Sequence, residues 1–377
     1  MKYMGSKRAM LRNGLGELLK REVRAGEGRR FVDLFAGSGA VAVHIAQTVS
    51  IPVLAFDLQE YSAVLTGAVI ERDKGFDWEE TWLKWEQRAL AYSKKMRPPA
   101  AKSLTQAIVA YYRDWCGGQD KLPITQAYGG HYYSPKQAVV IDSLLESLPT
   151  RGAAKRVALA ALVQAASCCA AAPGHTAQPF QPTRSAKPFL QDAWKKDILQ
   201  HTKAAFSAIA GLHAQQIGEA EVQDANLAAK QLQEGDIAFI DPPYSGVHYS
   251  RFYHVLETIA RCEQVEVSGR GRYPSPEFRP RSKYSVQTEA EDALDDLLGT
   301  IASHGAKAII TFPEHECSNG LSGPKVRELA GKHFHMQHAS VSSRFSTLGG
   351  RGDNLKSEAG RAARQHAEEL MLVLKPK

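Results

Sequence analysis

The sequence predicts an α/β protein whose doubly wound sheet is interrupted by a mostly helical segment. Three observations lead there. Near the start, a strand-like run is followed by a glycine turn, a helical pattern and a second strand-like run closed by an acid. Apolar strand-like runs return only after residue 236. Between these groups the chain loses strand character and reads as polar or alanine-rich helix. That order is the texture of a nucleotide-binding type of sheet carrying an insertion. At 377 residues the chain has room for one large domain with an insertion, or for two domains. The expected partition assigns 1–70 plus 215–377 to the sheet and 71–214 to the insertion.

Phe31-Val32-Asp33-Leu34-Phe35 is the first β-prone run, and it ends at Ala36-Gly37-Ser38-Gly39. Val41, Val43, Ile45 and Ala46 then follow at helical spacing. Residues 52–56 make the second strand, closed by Asp57. In the middle, Trp78, Trp82 and Trp85 recur at one helical face, which favours a core stripe over a stacking platform for bases. Ser134-Pro135 opens a helix with a hydroxyl cap and proline in the first turn. Residues 153–172 are alanine-rich helix ending at Pro173-Gly174, 173–188 are a proline-rich loop, and 192–212 are helical again. Buried strands are expected at 237–240, 308–312 and 369–374.

Composition narrows the setting. Five cysteines without CxxC pairs suit free thiols in a reducing cytoplasm. His315 and Cys317 resemble half a metal site, but no second pair at zinc-ligand spacing follows, so no metal is expected. Residues 1–8 lack the apolar core of a signal peptide, and no apolar run is long enough to span a membrane. The formal net charge of +7 favours a polyanionic partner without identifying one. Basic residues crowd the first thirty positions. A second cluster, Arg270, Arg272, Arg279, Arg281 and Lys283, is interleaved with Tyr273, Phe278 and Tyr284. A solvated face is the plain reading of each cluster; for the second, phosphate contacts are favoured.

Two constellations carry chemistry. The glycine turn lets the backbone approach a nucleotide-like ligand and opens a helix with free N–H groups. By itself it would also suit a nicotinamide dinucleotide. Asp33, inside the strand before the turn, would repel a pyrophosphate and welcome an ammonium group. S-adenosylmethionine has no phosphate and carries both an ammonium and a sulfonium. Asp57, at the tip of the next strand, is positioned either to accept from ribose hydroxyls or to cap a helix. The second constellation is Asp241-Pro242-Pro243-Tyr244, directly after a strand. Two prolines make the turn rigid and remove two N–H donors. An exocyclic amino group offers two hydrogens, which the Asp241 carboxylate and the Pro242 carbonyl can accept together. The nitrogen lone pair is then aligned for methyl transfer, with Tyr244 stacking on the extruded base.

Taken together, Lys2-Tyr3-Met4-Gly5-Ser6-Lys7, the run 31–39 and Asp241-Pro242-Pro243-Tyr244, in that order, resemble the D12-class DNA N6-adenine methyltransferases in their Dam-type, or alpha, arrangement. The resemblance covers the sheet portions at both ends and leaves the helical middle unmatched. It implies an S-adenosylmethionine-dependent methyltransferase sheet with a target-recognition insertion. It also implies catalytic roles for Asp241, Pro242 and Tyr244. Tyr3 and Lys7 become cofactor residues, Lys7 for the methionine carboxylate. Asp33, Phe35, Gly37 and Gly39 line the pocket and Asp57 holds the ribose. Asp224 is placed for the cofactor's adenine, although Ala225 stands where the family often has an aromatic.

Further candidates for DNA are His175, in the loop 174–178, and the glycine-rich stretch 344–352. The aromatics of 249–254 serve either the flipped base or the core. The partner implied is double-stranded DNA, with room for a cognate restriction endonuclease and no membrane. The protein would be a monomer or weak dimer in a bacterial or phage setting. N4 of cytosine offers the same amino chemistry, but the family favours Ser in place of Asp241 there. An RNA adenine methyltransferase and an inactive DNA-binding homologue are the remaining alternatives.

Overall fold

The computed structural model describes residues 7–25, 29–150, 152–343 and 367–377. Tyr3 and the stretch 344–352 lie outside the described residues. The chain divides into two compact units, a helical one and a sheet-bearing one. The helical unit is built from Lys74–Leu212 and Ser250–Pro280, and the sheet unit from Met4–Asp73, His213–Tyr249 and Arg281–Lys377.

Among the described residues, seven strands form the sheet: β1 Phe31–Asp33, β2 Val53–Asp57, β3 Glu219–Val222, β4 Ile237–Ile240, β5 Lys307–Pro313, β6 Phe334–Ser343 and β7 Ala367–Pro376. Their spatial order is β3-β2-β1-β4-β5-β7-β6. The first five in that order run parallel, whereas β7 is antiparallel to both β5 and β6. The mixed α/β architecture is the one the sequence predicts.

Helices cover both faces, so the central strands are continuous apolar runs rather than alternating ones. All four residues of β4 are buried. Phe31, Phe239 and Val53 face a layer containing Leu15, Leu19 and Ile45. Val32, Phe56 and Ile240 face the opposite layer, with Leu294, Leu298 and Leu329. The segment before β1 is therefore structural: helix Gly16–Ala25 buries Leu18, Leu19 and Val23.

Two strands, β3 and β6, have no clear sequence signature, and they are the two edges of the sheet. Alternating Glu219 and Glu221 mark β3, and β6 is rich in His, Gln and Ser. Polar side chains suit an edge exposed to water and erase the apolar pattern by which a strand is recognised.

In the helical unit, Trp82 and Trp85 are almost fully buried and pack around Phe206, with Trp85 Nε1 donating to the Leu144 carbonyl at 3.0 Å. The tryptophan stripe is core. Ser134 and Gln137 complete a reciprocal capping box at helix Pro135–Glu146. Helix Tyr249–Arg261 contributes Tyr253, which is buried, and His254, whose Nε2 lies 2.9 Å from the Gly271 carbonyl. No described helix is long and apolar enough to cross a membrane.

Candidate active site

Register brings the acids together. Across the parallel ladders Asp33 lies opposite Ala55 of β2 and Phe239 of β4. Asp57 and Asp241 each stand two residues further along those neighbouring strands. Three carboxylates thus occupy the carboxyl ends of adjacent strands β2, β1 and β4, where open α/β sheets bind their ligands.

The glycine turn is held between the same neighbours. The Leu34 N–H donates to the Phe239 carbonyl (3.1 Å) and the Ala36 N–H to the Phe56 carbonyl (2.9 Å). Gly37 and Gly39 have φ of 52° and 73°, left-handed values that glycine adopts without strain. At Gly39 space matters too: a Cβ would meet Thr66 Oγ1 at 2.5 Å. Gly39 caps helix Ala40–Thr48. Asp57 braces the turn, accepting from the Gly37 N–H (2.8 Å) on Oδ2 and from the Gln59 N–H (3.0 Å) on Oδ1.

Asp33 is 1% exposed. Burial above all pushes its carboxyl up to about 8; a hydrogen bond from the Phe35 N–H opposes this, and the negative charges of Asp241 and Asp57 add to it. Burial likewise raises Asp57 above the ordinary carboxylate value. Phe35 stands edge-on to Tyr284, with ring centroids 5.0 Å apart.

Asp241 is anchored by one oxygen. Its Oδ1 receives Lys7 Nζ at 2.9 Å and Thr311 Oγ1 at 3.0 Å. The parallel register of β5 against β4 sets Ile310 beside Ile240, so Thr311 falls beside Asp241. Lys7, expected at a methionine carboxylate, sits between two carboxylates of its own chain, with Glu369 Oε2 at 3.2 Å. Burial would lower the Lys7 ammonium, but Asp241 and Glu369 outweigh it and hold it above the usual lysine value.

The rest of the tetrapeptide is clamped from one side. Asn319, fully buried, donates from Nδ2 to the Pro243 carbonyl (2.8 Å) and the Tyr284 carbonyl (3.0 Å), while its Oδ1 accepts from the Leu321 N–H. Among the described residues no donor occupies the neighbouring Pro242 carbonyl. Tyr244 is half-buried against the core layer that contains Ile240.

A comparison with known families decides the identity. The family model for D12 class N6 adenine-specific DNA methyltransferases matches residues 3–114 and 125–297. The chain belongs to that class. The matched span includes the D12-class turn, Lys7, Asp33, Asp57 and Asp241, but it stops before Thr311, Asn319 and Glu369. Two curated relatives are similar over short stretches. Modification methylase LlaI of Lactococcus lactis subsp. lactis is 47% identical over 68 residues, 18% of this chain and 10% of that protein. Type II methyltransferase M.FokI of Planomicrobium okeanokoites is 37% identical over 76 residues, 20% of this chain and 11% of that protein. The D12-class chain therefore matches about a tenth of the length of these relatives.

Other expected residues lie elsewhere or act locally. Asp224 caps helix Ala225–Ala229, accepting from the Asn226 and Leu227 N–H groups. In the helical unit, His175 packs on Phe252 at 4.9 Å and its Nδ1 accepts from the Ala177 N–H. Arg270 is exposed. Arg272 turns inward, donating to the Ala127 and Gln126 carbonyls, and Arg279 lies over the Tyr273 ring. Arg281 and Lys283 belong to the sheet unit, where Arg281 pairs with Glu289 and Lys283 is exposed.

Thr311, Asn319 and Glu369 are the site residues that sequence reading passes over. Glu369 had a visible signal, an acid opening the apolar run 370–374. Asn319, in an irregular loop, had none.

Proposed function

We propose that the protein transfers a methyl group from S-adenosylmethionine to N6 of an adenine flipped out of duplex DNA, at a specific sequence. The observation that carries this reading is the cluster of buried carboxyl groups at the strand ends, where Asp33 and Asp57 accept N–H groups but pair with no cation among the described residues. Asp33 and Asp57 face the glycine turn, and Lys7 is already divided between Asp241 and Glu369. A cationic ligand without phosphates fits that environment, and a dinucleotide does not. Asp33 and Asp57 would hold the donor's cationic and hydroxyl groups, with Phe35 and the Gly37–Gly39 backbone against its flat parts. When bound, S-adenosylmethionine supplies the electrophilic methyl group.

The chain's own contribution is alignment. Asp241 Oδ2 and the Pro242 carbonyl accept the two amino hydrogens of the base, and Tyr244 stacks on its ring. As the new N–C bond forms, the neutral thioether leaves and one amino proton departs along its hydrogen bond to Asp241 and on to solvent, so no separate strong base is needed. The helical unit is the candidate for target recognition, with exposed Arg270 meeting phosphates. The names of the two relatives support a modification role and leave room for a companion endonuclease.

The test is tritiated methyl transfer to genomic DNA from a methylation-deficient strain, followed by digestion to nucleosides. N6-methyladenine is the expected product. N4-methylcytosine, or full activity in Asp241→Ala, would refute the reading.

A further inference from the structure

The geometry points to Glu369 as a positioning residue for Asp241, acting through Lys7; this rests on the function proposed above. Glu369 lies in the last strand, 362 positions from Lys7 in sequence, and outside the stretch matched by the family model. The antiparallel register pairs it with Pro313 at the carboxyl end of β5, two residues beyond Thr311. Its side chain is 7% exposed and that of Lys7 6%. Lys7 Nζ stands 3.2 Å and 3.4 Å from the two Glu369 oxygens and 2.9 Å from Asp241 Oδ1.

An ammonium group this deeply buried is held wherever the negative charge is greatest. With Asp241 as its single counter-charge, Lys7 would be drawn fully onto that carboxylate. It would compete for both oxygens and weaken them as acceptors. Glu369 pulls from the other side and divides the ammonium's three donors. Lys7 then meets Asp241 at Oδ1, where Thr311 also donates. Among the described residues no hydrogen bond reaches Oδ2, which would be left to accept from the amino group of a substrate base. Glu369 thus keeps Asp241 oriented and half open.

The full-length Glu369→Gln protein tests this with S-adenosylmethionine and genomic DNA from a methylation-deficient strain. The expected result is a fall in kcat of about 10- to 100-fold, the scale of a small misplacement at a reacting group. Donor Kd and the KM for DNA should stay within about twofold. Glu369→Asp, which keeps the charge, should recover part of the loss. Combined with Lys7→Met, Glu369→Gln should cause no further loss, because the effect passes through that lysine.

An unchanged kcat, a parallel collapse of donor binding, or losses that multiply in the double variant would each overturn the inference. If Glu369→Gln does not fold, Glu369→Asp is judged on the same readouts. Wild-type protein that yields no N6-methyladenine overturns the proposed function and this inference with it. An active wild type beside a fully active Glu369→Gln overturns the inference alone.

Discussion

The affinity for S-adenosylmethionine should rise steeply with pH, and Asp33 is the reason. Its carboxyl is pushed from the ordinary aspartate value of 3.8 up to about 8 by burial and by its two acidic neighbours. Without ligand it is therefore protonated at neutral pH. Ionising it in the empty fold costs on the order of 1.4 kcal/mol per pH step below that value. A bound ammonium or sulfonium needs the carboxylate, so binding must release the proton. Each step down from about pH 8 leaves roughly one-tenth of the protein ready, and Kd should weaken by up to about tenfold per step.

The accessible window is about pH 6 to 8, because the donor's own α-amino group titrates near 8. Titration calorimetry in two buffers of different ionisation enthalpy reads Kd and the released proton together. Asp33→Asn should bind more weakly at pH 8 and lose the slope. A flat Kd across the window, or the same slope in Asp33→Asn, would refute the reasoning.

Further outcomes follow from the same geometry. The folded value for Asp33 is raised, so its contribution to stability is complete below the ordinary aspartate range and is lost as pH rises through about 8. Ligand-free Asp33→Asn should accordingly melt higher than wild type at alkaline pH, read by calorimetric scanning; an equal or lower Tm would contradict this. Asn319→Ala leaves the buried Pro243 and Tyr284 carbonyls without their donor, a cost of about 1–3 kcal/mol for each group left unsatisfied, measurable by urea unfolding, together with a lower kcat. Gly39→Ala combines a left-handed φ with a clash on Thr66 and should lose at least about 1–3 kcal/mol, checked by the thermal midpoint. Arg270→Ala should reduce the salt slope of DNA binding by about 1. Arg272→Ala should instead lower stability, since its guanidinium is spent on the Ala127 and Gln126 carbonyls.

Local pattern by itself determined the strands that matter most. Residues 237–240 are apolar throughout because both faces of β4 are covered, and that leaves a mark in sequence. The glycine turn was legible because left-handed backbone calls for glycine, and the tetrapeptide, common by itself, because it follows a strand with that glycine turn upstream. The tryptophan stripe carried its helical period into the core. Tertiary structure decided what period cannot encode. The edge strands β3 and β6 are polar on account of their place in the sheet. Segment 250–280 groups with helices far away in sequence. Arg272, one of five similar cations, spends its guanidinium on backbone carbonyls. Above all, Lys7, Asp241, Thr311 and Glu369 come from four separate segments, and their meeting depends on strand order and register. A buried charge is defined by its partners, and those partners exist only once the sheet is assembled.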